Sequence, residues 1–82
     1  MNYKIIIEKR ARKFIEKQPL NQQKRILKGI SLLPNEGDIK PLKGIEGFFR
    51  LRVGDYRIIY RVENDVLTVI VTDAGNRGQV YK

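Results

Sequence analysis

The sequence predicts an α+β domain. Its N-terminal strand leads into an antiparallel pair of helices and then a mainly antiparallel, twisted sheet, with the helices on one face of that sheet. Three observations predict this order. A short β-branched run opens the chain, apolar residues then recur at helical spacing up to Pro34, and beyond residue 47 apolar and polar residues alternate. A length of 82 residues leaves room for a single domain, spanning 1–82.

The first half of the chain carries the strand and both helices. Residues 3–7 (YKIII) form the β-branched run, and from Glu8 the spacing becomes helical. Pro19 cannot continue the first helix but suits the first turn of a second, which runs until Pro34 ends it. The apolar residues that define the two helical faces are Ala11, Phe14 and Ile15, then Ile26, Leu27, Ile30 and Leu33.

The second half predicts a loop followed by a meander of strands. Glycine and proline recur through residues 34–47, so this segment is a loop with a short extended piece at 40–43. Two-residue turns at Gly54-Asp55 and Asn64-Asp65 join the strands that follow. The predicted strands are 48–53, 56–62 and 66–73, and after a turn at 74–78 a last short strand at 79–81.

Composition excludes several kinds of chemistry. The chain lacks Cys and His, so disulfides, thiolate nucleophiles, imidazole acid–base catalysis and two-His metal sites are all excluded. No pair of carboxylates has metal-site spacing, and we expect neither a metal ion nor another cofactor. The chain carries 17 Lys and Arg against 9 Asp and Glu, a formal charge of +8, which favours an acidic or nucleic-acid partner. No apolar run is long enough for a signal peptide or a membrane span, so we expect a cytoplasmic protein without membrane contact.

Strand pairing across Gly54-Asp55 assigns alternate side chains to two faces. One face is apolar and aromatic and predicts the core: Phe49, Leu51, Val53, Tyr56, Ile58 and Tyr60. The other carries four Arg and, in this prediction, no carboxylate from the strands: Phe48, Arg50, Arg52, Arg57, Ile59 and Arg61. Across Asn64-Asp65, the same reasoning places Thr72 opposite Arg57, Ile70 opposite Ile59 and Thr68 opposite Arg61.

This second face, with Arg52 directly opposite Arg57, predicts an anion site. Like charges that face each other on a sheet destabilise it, and arginine recognises phosphate through planar, bidentate hydrogen bonds. Exposed Phe48, Ile59 and Ile70 could contact bases or a partner segment. The alternative is a solvated sheet face that happens to be basic, and the basic residues of the first helix allow the same two interpretations.

The C-terminal tail adds two candidates to this face. If the last turn folds back beside the meander, Arg77 and Tyr81 reach the arginine cluster. Neighbouring guanidinium groups would lower the pKa of a phenol, which would make Tyr81 a candidate general base. The alternative for Tyr81 is an aromatic cap on the sheet edge.

These segments resemble the RelE/ParE superfamily of bacterial and archaeal toxins, and more narrowly its RelE branch. The resemblance covers nearly the whole chain and is carried by Leu42-Lys43-Gly44, Phe49–Tyr60 (FRLRVGDYRIIY), Gly75-Asn76-Arg77 and Val80-Tyr81. It implies a RelE-like fold and a type II toxin that enters the ribosomal A site and cuts mRNA. It also implies a cognate antitoxin, RelB-like and acidic, in a hetero-oligomeric complex.

Carried over by motif, the resemblance implies site residues on the strands and in the tail. The catalytic positions are Arg50, Arg52, Arg57, Arg77 and Tyr81, and we expect Lys43, Arg61 and Phe48 to contact RNA. Arg50 and Arg52 stand where a well-studied branch has Lys. Arginine effectively never loses its proton, so these two suit charge stabilisation better than proton transfer.

Two other functions remain open at this point. One is a ParE-like toxin of the same fold that binds DNA gyrase and cuts nothing. The other is a noncatalytic module that binds RNA or an acidic protein.

Overall fold

Two helices and five strands make up residues 3–76, the part of the chain that the computed structural model describes. This confirms the predicted α+β class. In chain order the elements are β1 (Lys4–Ile7), α1 (Lys9–Glu16), α2 (Leu20–Ser31), β2 (Asp38–Pro41), β3 (Phe48–Val53), β4 (Tyr56–Glu63), a 3-10 turn (Asn64–Val66) and β5 (Thr68–Asn76). Neither helix is long and apolar enough to cross a membrane.

The five strands form one mixed sheet in the order β1-β5-β4-β3-β2. β1 lies parallel to β5, whereas all other neighbours are antiparallel. α1 packs on β5 and α2 packs on β3, so the helices cover one face of the sheet. In this strand order β3 and β4 are interior strands. The face of each strand that does not pack on the helices is turned away from them.

The core lies between the helices and the face that the sequence assigned to it. Leu51, Ile58 and Tyr60 are buried there, with Phe49, Val53 and Tyr56 packed around them, as predicted. The helices contribute Ala11, Ile15, Ile26 and Ile30 to the same cluster. Helix α2 comes so close to β3 at Gly29 that a Cβ on this residue would stand 2.9 Å from a methyl of Val53.

The first hairpin has the predicted two-residue turn and the predicted register. Gly54 adopts a left-handed conformation with φ of 57°, which glycine tolerates without a steric penalty. Val53 then pairs with Tyr56, and Arg52 with Arg57. The two arginines are direct cross-strand neighbours.

The second hairpin corrects the predicted register. Asn64-Asp65 does not form a two-residue turn; a 3-10 turn and the left-handed Leu67 make a four-residue connection, with Glu63 paired to Thr68. The two extra loop residues shift the pairing by two positions. Arg61 therefore faces Ile70 instead of Thr68, and side chains keep their faces because the shift is even.

A β-bulge in β5 makes a further correction. Ile59 pairs with Asp73 and Tyr60 with Val71, which leaves Thr72 as an extra residue, and Arg57 consequently pairs with Gly75. The predicted partners Ile70 for Ile59 and Thr72 for Arg57 are both wrong. The bulge turns the carboxylate-bearing Asp73 toward the arginine face.

Three predicted segment boundaries also change. β5 continues through residues 74–76, where the sequence predicted a turn, because these residues still pair with β4. The extended piece between Pro34 and Phe48 lies at Asp38–Pro41 instead of 40–43, where it pairs with β3 at the sheet edge. The predicted strand at 79–81 lies outside the described residues.

Candidate anion site

A cavity of about 430 Å³ opens on the sheet face that the helices leave uncovered. Strands β2, β3 and β4 and the loop after β2 supply its walls. Five of its eight lining residues are cationic: Lys40, Lys43, Arg50, Arg52 and Arg57, with Pro41, Leu42 and Ile45 completing the set. So many positive charges around one cavity make it a candidate site for an anion.

Strand register brings these cations together. Lys40 pairs with Arg50 across β2 and β3, and Arg52 pairs with Arg57 across β3 and β4. Each pair puts two like charges on neighbouring strands, which is unfavourable for the sheet itself. The arrangement becomes favourable when an anion lies between the charges.

Arg50 is the most deeply buried cation of the cavity. Its side chain is 9% exposed, and its guanidinium forms an ion pair with Asp38, at 3.6 Å. The prediction of an arginine face without strand carboxylates is therefore wrong, since Asp38 on β2 and Asp73 on β5 both lie on it. Glycine and proline around β2 predict a loop, and a loop prediction gives Asp38 no cross-strand partner.

Arg52 and Arg57 are more accessible and lie side by side. The Nε–H of Arg52 donates a hydrogen bond to the carbonyl of Gly54 at 3.4 Å, which anchors the side chain near the hairpin turn. Arg57 is half-buried and lines the same cavity. Both arginines thus line the candidate anion site.

A second, larger cavity of about 800 Å³ adjoins the first. Leu42, Lys43 and Ile45 line both cavities. The remaining walls come from the start of α1 and from β3, β4 and β5, and they are Glu8, Lys9, Arg10, Phe48, Ile59, Thr72 and Asp73. The two cavities together form a continuous surface wider than one phosphate group.

Two of the three residues predicted to contact RNA line these cavities, and the third does not. Lys43 lines both cavities, and Phe48 lines the second. Arg61 lines neither of them and pairs with Glu63. Ile59, expected to be exposed, is 6% exposed, so little of it is available for contact.

Arg77 and Tyr81, the predicted tail residues of the site, lie outside the described residues. Within the described part, burial raises the pKa of Tyr60 to about 12, and its ring stacks on Phe49 in the core. Tyr60 is therefore unsuited to act as a base. No group of three or more acidic, His or Cys side chains among residues 3–76 could hold a metal ion.

Sequence reasoning missed Lys40 as a cavity residue. A weak pattern does predict a strand here, because Asp38-Ile39-Lys40 alternates polar and apolar residues. In the structure Ile39 packs against the core. A three-residue alternation next to Gly37 and Pro41 is too short to separate a strand from a loop.

Comparison with known proteins assigns the chain to a family. A family model described as the ParE toxin of the type II toxin–antitoxin system parDE matches residues 5–81. The chain belongs to this toxin family. A protein of Methanocaldococcus jannaschii named RelE1 is 32% identical to this chain over 88 aligned residues. The alignment covers 100% of this chain and 98% of the relative.

Solved structures of RelE proteins share the fold of the toxin. RelE in the archaeal RelE–RelB complex from Pyrococcus horikoshii is 25% identical, with a TM-score of 0.78 over 98% of this chain and 100% of that one. A chain of the RelB–RelE antitoxin–toxin complex from Methanococcus jannaschii is 30% identical, with a TM-score of 0.75 over 93% and 94%. The toxin is thus a RelE-like member of the RelE/ParE superfamily, as the sequence motifs indicated.

Proposed function

We propose that this toxin is an endoribonuclease that cuts mRNA in the ribosomal A site and thereby stops translation. The observation that carries the proposal is the cavity with five cationic side chains on the uncovered sheet face. A polyanion is the ligand that such a charge cluster attracts. The relatives of this chain that are named RelE support mRNA as that polyanion.

The reaction we propose is a metal-independent transesterification. The ribose 2′-oxygen attacks the adjacent phosphorus, the bond to the 5′-oxygen of the next nucleotide breaks, and a 2′,3′-cyclic phosphate remains. Tyr81 assists removal of the 2′-OH proton, which passes to solvent, and the leaving 5′-oxygen takes up a proton from water. Arg52, Arg57 and Arg77 hold the phosphate and offset the negative charge that develops on its oxygens.

The proposed partners are the ribosome with its mRNA and a cognate antitoxin. The Pyrococcus and Methanococcus relatives were solved as RelE–RelB complexes. A RelB-like, acidic antitoxin in a hetero-oligomeric complex complements the formal charge of +8 on this chain. Because ribosomes lie in the cytoplasm, we propose that the protein acts there.

Gyrase inhibition is the second candidate function. It is favoured by the family model, whose description names ParE. The cationic cavity favours the nuclease, because five positive charges around one recess suit a phosphodiester.

The deciding experiment maps mRNA 5′ ends on ribosomes after induced expression of the toxin. We expect new ends at A-site codons. Arg57→Gln should reduce cleavage by about 100–1,000-fold, the usual cost of losing a donor to a developing oxyanion. Tyr81→Phe should reduce it by about 100-fold, as expected for loss of a general base.

Arg12→Gln, which removes an exposed cation from α1, is the matched control and should cleave like the parent protein. Thermal unfolding checks that each variant is folded. Intact mRNA together with gyrase-dependent DNA damage would establish the alternative. Cleavage of a message with deoxyribose at the scissile position would overturn the 2′-OH mechanism.

A further inference from the structure

Asp38 is the carboxylate that the fold places beside the cationic cavity. It lies on β2, directly across from Arg52, but its carboxylate pairs diagonally with Arg50 at 3.6 Å. The Arg50 side chain is 9% exposed and the Asp38 side chain 56% exposed. A buried cation thus has its counter-charge at the accessible rim.

Because of this ion pair, the arginines of the cavity differ in how much of their positive charge is offset by a neighbouring carboxylate. A buried guanidinium has lost most of its hydration and needs a compensating charge, which Asp38 supplies. Arg52 also lines the cavity, but it donates to a neutral backbone carbonyl, which does not offset its charge. Among residues 3–76 no carboxylate forms an ion pair with Arg52, so an anion entering the cavity meets its charge directly, whereas it must share Arg50 with Asp38.

We propose that Asp38 is a positioning residue of the anion site, which holds Arg50 in the cavity wall and withdraws its charge from the bound polyanion. Removing Asp38 therefore exposes one more positive charge to the ligand and tightens nonspecific binding. The proposal rests on the proposed function only for the identity of the polyanion as RNA. The role of Asp38 depends on the charges around the cavity and not on cleavage.

The test is the salt dependence of binding to a 2′-O-methyl RNA oligonucleotide, which carries the phosphates but lacks the attacking hydroxyl. For Asp38→Asn we expect the slope of log K against log salt to steepen by about 0.7, equivalent to about fivefold tighter binding near 0.1 M salt. Asp38→Glu should restore the slope of the parent protein.

Asp65→Asn is the matched control, since it removes the same charge from an exposed position in the 3-10 turn beyond the far end of β4. A charge this far from the cavity is largely screened at about 0.1 M salt. Its slope should match the parent protein. Equal slopes for Asp38→Asn and Asp65→Asn would overturn the proposal, as would weaker binding by folded Asp38→Asn.

A second comparison keeps the proposal testable if Asp38→Asn does not fold. With Asp38 present, Arg50→Gln should lower the slope by less than Arg52→Gln does. Where Asp38→Asn does fold, the two changes should become equal in that background. An Arg50→Gln effect as large as that of Arg52→Gln in the parent protein would contradict the proposal.

Failure of this proposal is distinguishable from failure of the proposed function. Intact mRNA on ribosomes with the expected binding slopes would remove the nuclease and leave the role of Asp38 in place. A-site cleavage with equal slopes would do the reverse. No salt-dependent binding by any of the proteins would overturn the role of Asp38, since it requires a cavity that attracts a polyanion.

Discussion

The two faces of the β3–β4 hairpin are built from alternating residues of the same strands, yet opposite forces act on them. On the helix-covered face, Leu51 and Ile58 are cross-strand partners and both are buried, so hydrophobic burial stabilises the sheet. On the other face the neighbouring pair is Arg52 and Arg57, which repel one another. One face thus holds the sheet together, and the other presents charge at some cost to that stability.

The largest expected effect comes from weakening the covered face. Ile58 is fully buried, and Ile58→Ala should lower the free energy of unfolding by about 2–5 kcal/mol, because it removes buried methyl groups and leaves a cavity. Urea titration measures the change. Val66→Ala, at a residue 67% exposed, should stay within about 0.5 kcal/mol of the parent. Similar losses at the two sites would mean that burial on this face does not dominate stability.

A smaller loss is expected where α2 meets the covered face. Gly29→Ala should gain about 1 kcal/mol of helix propensity, but its Cβ would stand 2.9 Å from a methyl of Val53. Overpacking of this kind costs about 1–3 kcal/mol, so we expect a net loss of about 1 kcal/mol. Thermal unfolding measures it, with Lys28→Ala at an exposed neighbouring position as the control. An increase in stability would show that the helix can move away from the sheet.

The opposite sign is expected on the uncovered face. Arg52→Gln removes the repulsion across to Arg57 and should raise the free energy of unfolding by about 0.2–1 kcal/mol. The gain should shrink at about 1 M salt, where charges are screened within about 3 Å. Arg12→Gln on α1 provides the comparison, and denaturant titration at low and high salt is the measurement. A loss of stability at low salt would show that Arg52 stabilises the sheet.

The last prediction concerns Tyr60, whose ionisation changes the free energy of unfolding only in alkaline solution. Burial raises its pKa to about 12, above the ordinary tyrosine value of about 10. The folded state therefore keeps the proton longer than the unfolded state, and the contribution of Tyr60 to stability is full below about pH 10 and is lost between about 10 and 12.

A spectrophotometric titration of the four tyrosines follows phenolate formation directly. We expect one phenol to titrate near pH 12, and Tyr60→Phe should remove this late step. Ordinary titration of all four in the folded protein would contradict burial of the Tyr60 hydroxyl.

The two faces also differ in how far sequence predicted them. Alternation and a two-residue glycine turn were enough to pair Arg52 with Arg57 and to place Leu51 and Ile58 in the core. The partners on β5 were not predictable in this way. The four-residue connection and the bulge at Thr72 depend on how β5 fits between β4 and β1, which no local pattern records.

The sequence by itself determined the fold class, the two helices, the register of the first hairpin and the arginine-rich face, because these follow from residue periodicity and one turn. Only the tertiary structure placed Asp38 and Asp73 on that face and Lys40 in the wall of the cavity. Pairing at a sheet edge and a bulge are contacts between distant segments, and their energies lie in neither segment alone. The local sequence thus predicts the positive charge of the arginine face. Which carboxylates offset part of that charge depends on the fold.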